Sequence, residues 1–410
     1  MVSNVESGPD GNRLFAAALK SLEMGDSGKA LRILFDLFRV EPLHSEGLKT
    51  AARLSSAFGS SREAELFLGV AEDPRDPQFL FELGYVFVDL GFPGVGANYL
   101  AACSHERPED HRVRQELAYA LFRGGDYRAA TEILKPLAAN QQLGGPEKFA
   151  ARLLLVESLV HAGETARAQR IFELLDPGDG DSHAETQLDA LASLLARAAL
   201  LGGGSDRGPR GWHFIEHGGV VLHIPRDDPF TLPLGTVGVD FLAGMLRRLA
   251  GLLAALDMTP FVVQALSPAS APLASGFAGI VGAEVEPCSG DSPGKTLIMS
   301  CNLAEAEPHL KELRNHEEGV DLFTLSVDPR IESSLAPEII GQFAAGLAPP
   351  SENGKTEILD QLVAALSRPQ EDRTDIHTLI DYYMPLKGML ILGNHDANPA
   401  RRVLTPWHVH

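Results

Sequence analysis

The stretch ELAYALFRGGDYRAATEILKPL (Glu116–Leu137) carries two helical patterns that meet at a glycine. Ahead of Gly125, Leu117 and Leu121 recur at helical spacing; beyond it, Leu134 and Leu137 do the same. Ala118 and Ala130 are small, which lets two antiparallel helices approach closely where they cross. Gly125 permits the left-handed backbone that ends the first helix. The segment predicts a helical hairpin.

The same design recurs along the first half of the chain. Gly25 and Ala30, Gly59 and Ala64, and Gly125 and Ala130 share one interval, and the first two pairs lie 34 positions apart. Gly91 and Gly163 mark two further turns, at intervals of 32 and 38 from their neighbours Gly59 and Gly125. Five hairpins result. The first runs from about Gly11 to Pro42, with Leu14, Leu34 and Leu37 in the seam. The second begins near Ser45, the third at Pro77 (reading FLFELGYVFVDLG), the fourth at His111 and the fifth at Phe149. In the third, Gly96 stands beside Ala97 where the other hairpins place alanine.

This layout resembles the tetratricopeptide repeat family, whose unit is about 34 residues long. The resemblance covers residues 11–176 and implies an α-solenoid of about five helical hairpins. A closing helix is expected at Ala184–Leu201, which gives a repeat domain over residues 11–201. The resemblance also implies that the first helix of each hairpin lines a concave groove. Carried over by position, the groove residues are Phe15, Leu19 and Leu22, then Lys49 and Arg53, then Phe81, Tyr85 and Val88, then Arg112, Gln115, Tyr119, Phe122 and Arg123. Its centre falls on Lys49, Arg53, Phe81, Tyr85, Arg112, Gln115, Tyr119, Phe122 and Arg123. Aromatic rings beside cations suit an extended or helical peptide with apolar anchors and a carboxylate. Leu19 stands where the carboxylate-clamping subset of the family has asparagine, so a general peptide groove is the expectation.

LLGGGSDRGPRG is glycine-rich and polar, and residues 202–211 read as a linker. Beyond it the pattern changes. WHFIEHGGVVLHIP alternates around Gly218-Gly219 and reads as a β-hairpin or two short strands. Strands are expected at TPFVVQAL, TLIMSC, VDLFTLSV and GMLILG. Helices are expected at Val239–Leu256, Pro272–Val281, Leu303–Arg314, Pro337–Leu347, Glu357–Ser367 and Asp375–Tyr383. Such alternation predicts a three-layer α/β domain with a largely parallel sheet over residues 212–400. Residues 1–10 read as a disordered start and 401–410 as a tail.

Several fragments of this half invite a chemical reading. SGDSPGKT (Ser289–Thr296) and PSENGKTEILDQL (Pro350–Leu362) each contain GKT, but a phosphate loop needs glycine five residues before the Gly-Lys pair. Those positions are Ser289 and Pro349, so both read as polar turns. Only 12 residues separate His395 of GNHD from His408, too few for the strand–helix units of a metallophosphoesterase, and DIH at Asp375–His377 does not change this. Cys301, Asn302 and Asp328 follow apolar strands and belong at the carboxyl edge where open α/β sheets bind ligands. A thiol nucleophile there would need an imidazole such as His217, His223 or His395. No catalytic residue, metal site or cofactor is expected.

Composition narrows the classes of partner. The net charge is −20, and residues 1–200 carry 29 acidic and 20 basic side chains against 26 and 15 in the remainder. The acidity is therefore spread over both halves and repels nucleic acid and anionic lipid. No basic stretch followed by an apolar run opens the chain, and no 18-residue apolar run exists, so neither a secretory signal nor membrane insertion is expected. Three scattered cysteines suit a reducing, cytoplasmic setting. The functional expectation is an interaction scaffold, adaptor or chaperone that captures a protein partner, with a bacterial secretion or assembly machine as its setting by analogy. A homo-oligomer is left open. The alternative is an enzyme whose chemistry lies in the α/β domain and whose repeats recruit a protein substrate.

Overall fold

The computed structural model describes residues 9–176, 181–202, 208–223, 238–288, 295–309, 320–328, 336–343, 355–368 and 374–392. The chain divides into two compact units at Gly180/Asp181. Residues 1–8, half of the 202–211 linker (203–207), both glycines of the GKT turns with the residues before them, His395 of GNHD and the 401–410 tail lie outside the described residues.

The first unit holds ten described helices paired as five hairpins. They are α1 (Pro9–Glu23) with α2 (Ser27–Val40), α3 (Ser45–Ala57) with α4 (Ser61–Glu72), α5 (Pro77–Asp89) with α6 (Pro93–Glu106), α7 (His111–Arg123) with α8 (Tyr127–Ala139), and α9 (Gly145–His161) with α10 (Thr165–Phe172). Each repeat glycine turns the chain in the left-handed region: φ is 79° at Gly25, 85° at Gly59, 80° at Gly91, 85° at Gly125 and 80° at Gly163. The amide after each glycine then reaches back to a carbonyl five residues earlier, as from Asp126 N to Leu121 O at 2.9 Å. The same residue begins the next helix in two turns, where Asp26 and Asp126 accept the amides of Lys29 and Ala129. The fifth hairpin starts at Gly145, ahead of Phe149, because Pro146 in its first turn favours helix initiation.

An aromatic core ties the first three hairpins together. Phe35, Phe38, Phe67 and Phe87 pack on one another, and Tyr99 stacks on Phe87 at 5.6 Å. The Tyr99 hydroxyl donates to Pro42 O at 2.6 Å, while Asn98 Nδ2 donates to the last carbonyls of α2, at Phe38 and Arg39. The polar tips of α6 thus satisfy the open end of α2.

The second unit begins with α11 (Ser182–Leu200), the helix assigned from sequence to close the repeats. Within this unit its Arg197 donates to the carbonyls of Ile215 and Glu216 in α12 (Pro209–His217). After α12 come β1 (Val220–His223), α13 (Val239–Leu256), β2 (Val262–Ala265), α14 (Ala271–Val281), β3 (Glu284–Pro287) and β4 (Thr296–Asn302). There follow α15 (Leu303–Ala306), β5 (Val320–Val327), β6 (Ile339–Phe343), α16 (Lys355–Ser367) and α17 (Thr374–Tyr383). The described strands form one sheet in the order β1-β6-β5-β4-β2-β3, and every pair is parallel. Strands β4 and β5 are buried along nearly their whole length, so helices cover both faces.

Four local expectations need correction. The stretch from Trp212 to His217 is helix, bounded by Pro209 and by Gly218 in the left-handed region (φ 65°), and only β1 remains of the supposed hairpin. Pro337–Leu347 holds the sheet strand β6, not a helix. Of GMLILG, Gly388 and Met389 end a 3-10 segment, Leu390 is extended, the Ile391 amide donates to Gly218 O, and Gly393 lies outside the described residues. Strand β3 was not expected; its exposed, acidic EVEP has no apolar face to reveal it.

Candidate functional site

In the first unit, α5 and α7, the turns that precede them and the start of α4 line a cleft of about 460 Å³. Its walls are Arg62, Pro77, Gln78, Phe81, Glu82, Tyr85, Arg107, Asp110, Arg112 and Val113. Local chemistry explains how these groups are held. Asp76 accepts the amides of Gln78 and Phe79, and with Pro77 it starts α5 so that Gln78, Phe81, Glu82 and Tyr85 fall on one stripe. Asp110 does the same for α7, accepting from Arg112 N at 3.0 Å and Val113 N at 3.3 Å. The Arg112 guanidinium stands 5.8 Å over the Phe81 ring, a cation–π contact across the two helices. Tyr85 is 45% exposed beside them.

The cleft joins three residues assigned from sequence: Phe81, Tyr85 and Arg112. The others stand elsewhere. Lys49 pairs with Glu46 at 2.8 Å, and Arg53 donates to Thr50 Oγ1 at 3.1 Å, both within α3. Tyr119 accepts from Arg123 Nη1 at 2.9 Å one turn apart on α7. The Phe122 ring packs against Tyr127 and His161, each at 5.6 Å, and serves the seam between hairpins. Gln115 is half-buried on α7 and is not a wall of the cleft. Of the first-hairpin residues, Phe15 packs on His44 at 4.8 Å.

Arg62, Arg107 and Asp110 line the cleft but were missed. Arg62 belongs to a second helix, and Arg107 and Asp110 to the loop before α7, while the family pattern directs attention to first helices. The motif SHERPED carried a usable signal, an arginine beside the proline of an inter-hairpin turn.

In the second unit, the course of the chain across the sheet reverses between β2 and β4, the crevice where open α/β sheets bind ligands. Cys301 lies there at the end of β4, only 3% exposed, and its Sγ donates to Ala269 O at 3.6 Å. Glu305 accepts from the Cys301 amide at 2.9 Å, and Asn302 Oδ1 accepts from the Glu305 amide. Burial first, and then the Glu305 carboxylate, push the Cys301 thiol well above its ordinary range. A thiol held protonated is a poor nucleophile. Asp328 follows β5 on the same edge and is half-buried. Of the imidazoles considered for Cys301, His223 ends β1, with β6 and β5 intervening, about 14 Å away at ordinary strand spacing. His217 precedes β1 at the opposite edge, and His395 lies outside the described residues.

Among the described residues, no group of three or more His, Cys, Asp or Glu side chains is placed to hold a metal ion. No described helix is long and apolar enough to cross a membrane. No family model matches the chain, and no curated protein matches it. Among solved structures, a similar chain is that described as "Functional Characterization of Pseudomonas Aeruginosa pilF". It shares 18% identity, covers 46% of this chain and 84% of its own length, and superposes with a TM-score of 0.28. So small a likeness leaves partner and activity to be read from the residues themselves.

Proposed function

We propose that the repeat array is a tetratricopeptide-type capture surface that holds a peptide or helix of a protein partner in the cleft between α5 and α7. The chain then acts as an adaptor or chaperone; a bacterial secretion or assembly machine is its setting by analogy with small acidic repeat proteins alone. The observation that carries this reading is the meeting of Phe81, Tyr85 and Arg112 around one cleft of about 460 Å³. A half-exposed tyrosine, a ring and a cation form the kind of anchor that dominates binding energies at interfaces.

The test is capture of a partner from lysate, its identification by mass spectrometry, and measurement of its affinity by interferometry. Tyr85→Ala and Arg112→Ala should each weaken the complex by about 2 kcal/mol, or about 30-fold. Tyr85 and Arg112 are exposed, so neither change should disturb folding. Wild-type affinity in both variants would sink the proposal.

A further inference from the structure

We propose that the segment held in this cleft is acidic, presenting aspartate or glutamate next to an aromatic or aliphatic side chain. This inference rests on the capture role assigned above and names the chemistry of what is captured.

The sign of the charge reverses locally. The chain as a whole carries −20, yet the cleft walls hold three guanidinium groups, from Arg62, Arg107 and Arg112, against two carboxylates, from Glu82 and Asp110. Both carboxylates are already engaged within the wall. Glu82 accepts from Gln78 Nε2 at 3.1 Å and pairs with Arg62 at 3.9 Å. Asp110 caps α7 through the amides of Arg112 and Val113. Arg107 enters no ion pair among the described residues, and Arg112 rests over a ring. Glu116 attracts Arg112 through space across one turn of α7 without joining the cleft wall. Two exposed cations are therefore left facing the cleft with no carboxylate of their own in it.

A carboxylate entering between Arg107 and Arg112 gains charge-assisted hydrogen bonds, with arginine's planar fork favouring two at once. Phe81 and Tyr85 offer apolar ring surface alongside, which suits a neighbouring aromatic or aliphatic residue. Arg107 comes from the turn before α7 and not from a helix face, so the anionic subsite lies at the rim. The net charge of −20 on the chain disfavours an acidic segment that misses the cleft.

A random-peptide phage library selected on the full chain decides the matter, with circular dichroism as the folding control. Enriched sequences should carry Asp or Glu beside Phe, Tyr, Leu or Ile. Arg107→Glu and Arg112→Glu should each weaken the enriched peptides at least tenfold, and the double variant should turn the selection toward Lys and Arg. Neutral or basic sequences that still depend on Tyr85 would overturn the acidic assignment and leave the capture role standing. Sequences indifferent to Tyr85, Arg107 and Arg112, or an empty selection, would overturn both.

Discussion

Gly96 shows how much one missing side chain decides. Most hairpins have alanine where the two helices cross; the third has Gly84 facing Gly96. A Cβ on Gly96 would stand 2.6 Å from Gly84 O and 3.2 Å from Val88 N, both backbone atoms that cannot step aside. Gly96→Ala should therefore destabilise the chain by about 1–3 kcal/mol through overpacking. Gly94→Ala in the same helix, where a Cβ meets nothing within 4 Å, should be neutral or mildly stabilising. Urea unfolding of the two variants checks the contrast, and equal midpoints would refute it. His213 is a second single-residue case. It is fully buried on α12 with neither ring nitrogen hydrogen-bonded, and burial first, then the neighbouring His217, hold its pKa well below the ordinary 6.5; the Pro337 backbone and the Glu216 charge act weakly the other way. The folded chain keeps this ring neutral while the unfolded chain takes up a proton below about pH 6.5. Stability is unaffected above that value and falls as the pH drops beneath it, by up to about 1.4 kcal/mol per pH unit. The fall should be shallower in His213→Leu; parallel pH profiles of unfolding would show that His213 is not responsible. Among the cleft residues, Phe81, Tyr85 and Arg112 were legible because they fall at the positions where the resemblance to tetratricopeptide repeats implies groove residues. Arg62 and Arg107 were not, because only the packing of neighbouring hairpins brings them to the same cleft.

Among the elements, those with one strong period were readable in advance. VDLFTLSV coincides with β5, and the apolar stripe of Val239–Leu256 with α13. Elements whose pattern suits two periods were not. EIIGQFAAGL satisfies a helix as well as a buried strand, and pairing of β6 with both β5 and β1 settles it. Glu338 at its start is 1% exposed and accepts the Leu322 amide at 2.7 Å, a contact with no local signature. Edge strand β1 illustrates the same dependence. On its open side the Val221 amide donates to the Tyr383 hydroxyl at 2.8 Å, and Arg210 Nε donates to Val221 O at 3.2 Å. The Arg210 guanidinium in turn lies 5.2 Å over the Tyr382 ring. These side chains occupy the positions a further strand would take, so the edge is closed to pairing. Tyr383→Phe should leave a buried amide without its partner and lower stability by about 1–3 kcal/mol. Hydrogen exchange at Val221 should quicken with it; unchanged exchange would refute the plug.

For the whole molecule, local chemistry written into the chain was enough to determine the five hairpins, the change from helical repeats to a chain with parallel strands, and the net acidity. Glycine turns, aspartate caps and periodic apolar stripes act over a few residues, and their energies belong to the segment that carries them. Strand order, the assignment of the Ser182–Leu200 helix to the second unit and the membership of the cleft came from three-dimensional packing. Each joins residues far apart in the chain, and many partners of similar hydrophobicity compete for every such contact. The choice among them is made by shape and by the satisfaction of buried polar groups, neither of which a linear pattern records.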